Sequence, residues 1–357
     1  MSKYVADPIK TFSVGFPIDG YDETSYALSV AERYETDHHS FMMDYDIIED
    51  LPKIVWHYGE PYADSSSLVM YALSQEVSKH VKVALSGDGG DELLIGYSRY
   101  QKFQQVVTEL RSTGNSASQK HTIGPYSDPP ELRDTYARSI SKFRDEHKIR
   151  GYGRALAPYI FASSNDRLGT LLDSACNRSA MELAARADTG HYLPYDLLVK
   201  SDIATMAHGL ECRSPFLDHK FAEWAAALPQ NIRVFDHNGQ LEMKALLKKA
   251  MRPHLPDDIL YRPKQGFSVP VKHWMRNSIK DFLIDSLTSK RFNEREVINP
   301  KYMQYMIDRH MGNQEDHGTR LWNLLCFELW AQTFIDKADT KPINVSVKSQ
   351  TSAFKLS

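Results

Sequence analysis

Residues 81–92, VKVALSGDGGDE, constrain the fold more than any other stretch of the chain. VKVAL reads as a short buried strand, and it runs straight into a turn that holds three glycines and three acids, Asp88, Asp91 and Glu92. A strand that ends in a glycine turn at the mouth of a helix is the repeating joint of a parallel α/β sheet. In such sheets ligands bind beyond the carboxyl ends of the strands. The glycines allow positive φ angles and close backbone approach, and backbone N–H groups there hold anions. Three carboxylates would repel a bare phosphate. They make sense with a hard cation between, because Mg²⁺ takes one or two carboxylates together with phosphate oxygens. The same letters also read as a tight turn whose acids are favoured by a helix dipole. No Gly-Lys-Ser/Thr follows, so the turn is not a Walker loop, and the alternating oxygen ligands of an EF-hand are missing.

The preceding residues set this joint in a strand–helix alternation. KTFSVGF at 10–16 reads as a strand ended by Pro17 and Gly20, and HSFMM at 39–43 as a second. Residues 22–34, 47–58 and 66–80 carry helical spacing. The expectation is an α/β nucleotide-binding half over 1–108. A polar connector follows over 109–150, poor in core residues and rich in turn formers. Residues 151–337 read as a mostly helical half, with the strongly apolar RLWNLLCFELW at 320–330 docked in its core, and 338–357 as a loose tail.

Two further constellations carry charge. In LVKSDIATMAHGLECRSPFLD (198–218) a helix bears Lys200 and Asp202, and an extended segment follows with Glu211 and Arg213. These last two read either as structural ion pairs at a lobe interface or as part of a substrate-facing lobe. RPKQGF (262–267) is an extended pre-proline segment with two cations and a flexible glycine. It suits closure over a polyphosphate, with Lys264 neutralising developing charge; standing alone it reads as a solvated basic turn. His38-His39 lacks metal-ligand spacing, and no serine or cysteine nucleophile signature is present.

Composition narrows the function class. At 42% hydrophobic and 25% charged residues the chain can bury a sizeable core, and its net charge of −3 gives no footprint for nucleic acid or an anionic membrane. No run approaches the roughly 18–20 apolar residues of a membrane span. The first twenty residues lack the pattern of a secretory signal. Cys176, Cys212 and Cys326 are far apart and form no C-x-x-C pair. The expectation is a cytoplasmic protein acting on small molecules.

Six segments in order, TFSVGF with YDE beyond it, AERYETDHH, EPYADSSSLVMYALS, VALSGDGGDELLIGY, LVKSDIATMAHGLECRSPFLDHKF and LPDDILYRPKQGFSVPV, resemble the synthetase domain of glutamine-hydrolysing asparagine synthetases, a group that includes β-lactam synthetases. The resemblance covers residues 9–274, interrupted by the polar connector. It implies an ATP-pyrophosphatase-type parallel sheet followed by a helical lobe. It also implies a reaction: Mg-ATP adenylates the β-carboxylate of aspartate, pyrophosphate leaves, and ammonia from glutamine displaces AMP to give asparagine. ATP and Mg²⁺ are the implied cofactors. Residue by residue, Val14 falls where the family's strand meets adenine, and Ser86 and Gly87 on the backbone that holds the nucleotide. Asp91 matches the Mg²⁺ carboxylate, Asp88 a carboxylate that positions or deprotonates ammonia, and Lys264 the lysine that stabilises pyrophosphate.

The sequence also departs from the family. Nothing in it matches the Ser-Gly-Gly-x-Asp-Ser pyrophosphate loop, residue 2 is Ser2 rather than a catalytic cysteine, and residues 1–9 look like the end of the helix that follows that loop. The expectation is therefore a core lacking its first strand, inactive alone, with a glutaminase domain or an N-terminal fragment as partner; a homodimer stays open. Three readings follow: an asparagine synthase-type ligase, a non-catalytic fragment or subunit, or an enzyme that applies the same chemistry to another carboxylate.

Overall fold

The alternation in KTFSVG places Lys10–Gly15 in an extended strand, β1, which pairs in parallel with β2 (Asp37–Met43) from Lys10↔Asp37 to Gly15↔Met42. Helix α1 (Thr24–Arg33) connects them. The computed structural model describes residues 1–16, 22–43, 47–112, 130–161, 166–173, 178–262, 269–336 and 354–356. A second parallel pair joins β3 (Val83–Leu85) to β4 (Glu211–Arg213). An antiparallel hairpin, β5 (Phe235–His237) and β6 (Gln240–Glu242), stands apart, and β7 (Phe354–Leu356) adds antiparallel to β2. The parallel α/β expectation holds at the level of strand pairs. The strands do not form one continuous sheet, because β1-β2-β7 and β3-β4 share no ladder among the described residues. Residues 1–9, expected as a helix end, hold only a 3₁₀ turn at Ser2–Tyr4.

Helices make up most of the rest. Before β3 come α2 (Ile47–Tyr58) and α3 (Ser66–Val77). Between β3 and β4 lie α4 (Gly90–Leu93), α5 (Ser98–Ser112), α6 (Pro130–Ile140), α7 (Asp145–Gly151), α8 (Asp166–Asp173), α9 (Ala180–Gly190) and α10 (Leu198–Met206). After β4 follow α11 (His219–Ala227), α12 (Gln230–Arg233), α13 (Ala245–Met251), α14 (Asp257–Leu260), α15 (Val271–Arg276), α16 (Lys280–Thr288), α17 (Lys290–Glu294), α18 (Pro300–Met311) and α19 (Gly318–Ala331). Local signals fix several starts. Ser179 and Glu182 form a capping box on α9, and Asp218 caps α11 through the Lys220 and Phe221 amides.

The largest core packs α2 and α3 against α15–α19, with Trp322, Leu321 and Met306 buried at its centre; the apolar 320–330 run docks here as expected. A second core gathers α5, α6, α8 and α9 around Tyr100, Tyr136 and Met181. Part of the 109–150 connector, expected to be core-poor, contributes to this core: residues 113–129 lie outside the described residues, but α6 inserts Tyr136 and Ala137 fully. The polar letters hid that role because the Tyr136 hydroxyl is satisfied inside, on Asp188 at 2.7 Å. A third, small cluster holds Leu93, Leu94 and Ala225 and draws in Phe216 and Leu217. The acid turn sits over this third cluster.

Candidate functional site

The turn begins where the β3–β4 ladder ends, with the Ser86 amide donating to the Arg213 carbonyl at 2.9 Å. A Cβ at Gly87 would meet no atom within 4 Å, so the backbone there faces open space. Gly89 differs. It has φ +84°, and a Cβ on it would lie 2.2 Å from Leu217 Cδ2, so the position demands glycine twice over. Helix α4 is then a single turn, too short to build a dipole that would explain the acids. Two residues past its end stands Ile95, a fully buried β-branched residue held at φ +56°. Such a conformation is costly and marks a place where the surroundings dictate the backbone.

The three carboxylates of the turn point to three different environments. Asp88 is half-buried, and its Oδ2 accepts from the Ser86 hydroxyl at 2.8 Å and from Ser201, on α10, at 3.1 Å. With the Ser86 proton committed to Asp88, Ser214 donates in turn to Ser86 at 2.8 Å. Asp91 pairs with Lys244 (Nζ to Oδ1, 2.9 Å). Glu92 turns inward, 2% exposed, and accepts from Tyr97 Oη at 2.7 Å. Burial raises its carboxyl above the ordinary value, and the Tyr97 hydrogen bond opposes part of that rise.

Ser201 links this turn to a second polar group on the same helix. Its neighbour Lys200 is buried and donates to Asp64 and to the Ser66 hydroxyl, both at 2.9 Å. Tyr62 donates to Asp196 at 2.6 Å, and burial, helped by nearby Asp64, pushes the Asp196 carboxyl up. Asp196 lies on a π-turn, Leu193–Leu197, of the kind found often at functional sites.

The structure sets Ser86, Gly87, Asp88 and Asp91 on one turn, with the other expected residues on other elements. Val14 is half-buried on β1, packed against the main core, in a sheet that shares no strand with the turn. Asp202 is exposed on α10; its charge, with that of Asp88, adds to the burial that raises the Cys212 thiol. Glu211 and Arg213 do pair, at 2.7 Å, but with 54% and 63% of their side chains exposed they are a surface pair rather than a lobe clamp. Lys264 lies outside the described residues. Of its segment Arg262 is described, paired with Glu23 and 4.7 Å from the centre of the Tyr26 ring, so it ties to α1.

Sequence reasoning passed over Asp64, Ser66, Asp196, Ser201, Ser214 and Lys244. Asp64 and Ser66 sit in the quoted EPYADSSS, where an Asp-x-Ser turn signal was visible: Asp64 accepts from the Ser66 amide at 2.9 Å. Nothing local marks Lys244.

The donor set suits a magnesium nucleotide. Among the described residues no group of three or more His, Cys, Asp or Glu side chains is gathered as a metal site. Mg²⁺ that arrives on phosphates needs only one or two protein carboxylates, and Asp91, about one-fifth exposed beside the open Gly87 backbone, is of that kind.

Comparison with known proteins agrees in kind. The profile of the asparagine synthase family matches residues 1–332. Asparagine synthetase [glutamine-hydrolyzing] 1 of Bacillus subtilis is 28% identical over 347 residues, 92% of this chain and 53% of that protein. A putative asparagine synthetase [glutamine-hydrolyzing] of Mycobacterium bovis is 29% identical over 343 residues, covering 91% and 51%. The amidase chyE of Penicillium rubens is 22% identical over 352 residues, covering 89% and 52%. The chain spans about half the length of these curated relatives.

Proposed function

The chain belongs to the asparagine synthase family, and from that premise we propose that it forms the carboxylate-activating part of a ligase making an amide from aspartate, ammonia and ATP. Bound Mg-ATP supplies the activation: the carboxylate becomes an acyl-adenylate and pyrophosphate leaves. The observation that carries this reading is the division of labour in the acid turn, where two partly buried carboxylates share a turn with open glycine backbone at the end of a parallel strand pair.

Asp91 would hold the metal side of the nucleotide, with the Ser86 and Gly87 backbone alongside. Asp88 is held through Oδ2 by two hydroxyls, and among the described residues its Oδ1 takes no hydrogen bond. That oxygen would accept the proton ammonia sheds as the C–N bond forms and AMP departs. Lys264 would neutralise the departing pyrophosphate. Ammonia would come from glutamine through a glutaminase domain, in a cytoplasmic setting. Among the described residues no helix is long and apolar enough to cross a membrane.

Aspartate-dependent exchange of labelled pyrophosphate into ATP tests the reading, assayed on the chain alone and with a glutaminase-bearing partner polypeptide. We expect exchange that needs aspartate and is lost in Asp91→Asn. Exchange driven by another carboxylate would move the acceptor, and no nucleotide binding or exchange in either setting would leave a non-catalytic subunit.

A further inference from the structure

Lys244 stands out as a cation placed against the backbone's own preference. It follows the β5–β6 hairpin, caps α13, and holds φ +54° and ψ +29°, a left-handed conformation that a lysine adopts at a cost. The chain tolerates this to bring Nζ to 2.9 Å from Asp91 Oδ1. Room for the pair comes from Gly96, where a Cβ would lie 2.0 Å from Asp91 Oδ1 and 2.3 Å from Lys244 Cε. The same joint holds the left-handed Ile95 and the Gly96 amide bond to the Asp91 carbonyl at 2.8 Å. Three local features thus converge on one ion pair.

The pair matters because of what Asp91 is proposed to hold. A bare divalent cation on that carboxylate would put two positive charges beside a third, the ammonium, with one negative charge between them. A cation that brings its own phosphate anions creates no such excess. We infer that Lys244 is a specificity-determining residue, which makes Asp91 select a metal–polyphosphate complex over the free metal ion. This rests on the metal role proposed for Asp91. It adds a claim about preference, which that role alone does not contain. The ammonium is one-quarter exposed and flexible, so its effect is a bias on equilibrium rather than a block.

The test measures binding of Mn²⁺, alone and as Mn²⁺–pyrophosphate, by electron paramagnetic resonance, with no turnover required. The variants are Lys244→Met, Lys244→Gly, Lys244→Arg and Asp91→Asn. Glycine removes the ammonium and also suits the left-handed backbone, so it guards against a misfolded methionine variant. We expect free Mn²⁺ to bind about tenfold more tightly in the Met and Gly variants, about 1.4 kcal/mol. Mn²⁺–pyrophosphate should gain nothing in them, and Arg should behave as the native lysine. Free Mn²⁺ binding unchanged in both Met and Gly variants, with Asp91→Asn still weakening it, would overturn the inference and leave the metal role standing. Equal gains for free and complexed metal would also overturn it. Metal binding indifferent to Asp91→Asn would overturn the metal role itself.

Discussion

Asp188 and Asp91 are both carboxylates with a basic partner, and they are built to opposite ends. Asp188 is 0% exposed on α9. It accepts from Arg99 through two guanidinium nitrogens, from Tyr100 at 2.7 Å and from Tyr136 at 2.7 Å. Arg99 is itself sandwiched, its guanidinium carbon 3.7 Å from the Tyr97 ring centre and 4.8 Å from that of Tyr192. Asp188 is enclosed by these donors, and the guanidinium that holds it is planar and fixed between two rings. Asp91 instead has an ammonium on a flexible stem, with the carboxylate side chain 20% and the ammonium side chain 26% exposed. A charge closed off in this way specifies packing; one left with an exchangeable partner can serve a ligand. Burial and the number of committed donors separate the two more sharply than residue type does.

The largest effect should come from breaking the closed pair. Asp188→Ala leaves Arg99 and two phenols buried without their acceptor, a loss of about 3–5 kcal/mol. Urea denaturation should show it as a large fall in midpoint. Asp91→Asn should cost less, about 1 kcal/mol, in the same experiment, because its single ammonium partner is flexible and partly exposed and the amide oxygen can still accept from it, while losing pyrophosphate exchange. Were the two stability costs to come out equal, the distinction between closed and open pairs would fail.

The glycines of the turn offer a contrast of the same kind at smaller scale. Gly89→Ala meets both a positive φ and Leu217, and should cost about 1–3 kcal/mol. Gly87→Ala has open space and no positive φ, so the fold should lose less than about 1 kcal/mol. The methyl group there would stand where the nucleotide is proposed to lie, so ATP affinity should fall instead. Thermal melts and ATP titration of the two variants separate these outcomes. A Gly87→Ala protein that melts as low as Gly89→Ala would show that the open face is structural.

How far this was readable from the letters depended on range. VKVAL followed by SGDGGDE declares strand and turn, because apolar run, glycine and charge are all local signals, and the structure shows the strand pair and the turn, with Asp88 and Asp91 facing different partners. The helices at 47–58 and 66–80 were legible from spacing, to within a few residues at one end. Lys244 was not. Its link to Asp91 joins distant parts of the chain through a left-handed residue, which no periodicity encodes. The core role of Tyr136, inside the segment expected as a polar connector, is hidden for a related reason: its hydroxyl is satisfied on a remote Asp188, which no local pattern encodes. The single sheet was expected from the order of strands, yet β3 and β4 are only three residues each, with Val83 and Leu85 43% and 54% exposed. Strand order alone does not say which edges pair.

The smallest predicted effect concerns Glu92, the third acid of the turn, which is buried like Asp188 but pairs with no cation among the described residues. Tyr97 donates to it, yet burial still holds its carboxyl above the ordinary value. In the folded protein Glu92 therefore keeps its proton to higher pH than in the unfolded chain. Ionisation then costs the fold stability, fully above the raised value and not at all below the ordinary one near 4.5. As pH falls through that window, Glu92 should make a contribution that favours folding, opposite in sign to that of a paired acid. Glu92→Gln should remove this contribution. At pH 7 it should leave stability within about 1 kcal/mol of the native protein, since the amide oxygen still accepts from Tyr97. Subtracting its pH–stability curve from the native one should leave a single step just above the ordinary glutamate range, with the native protein relatively more stable on the acid side. A step of the opposite sign would mean that Glu92 has a cationic partner in solution, and the turn would then hold two exchangeable charges rather than one.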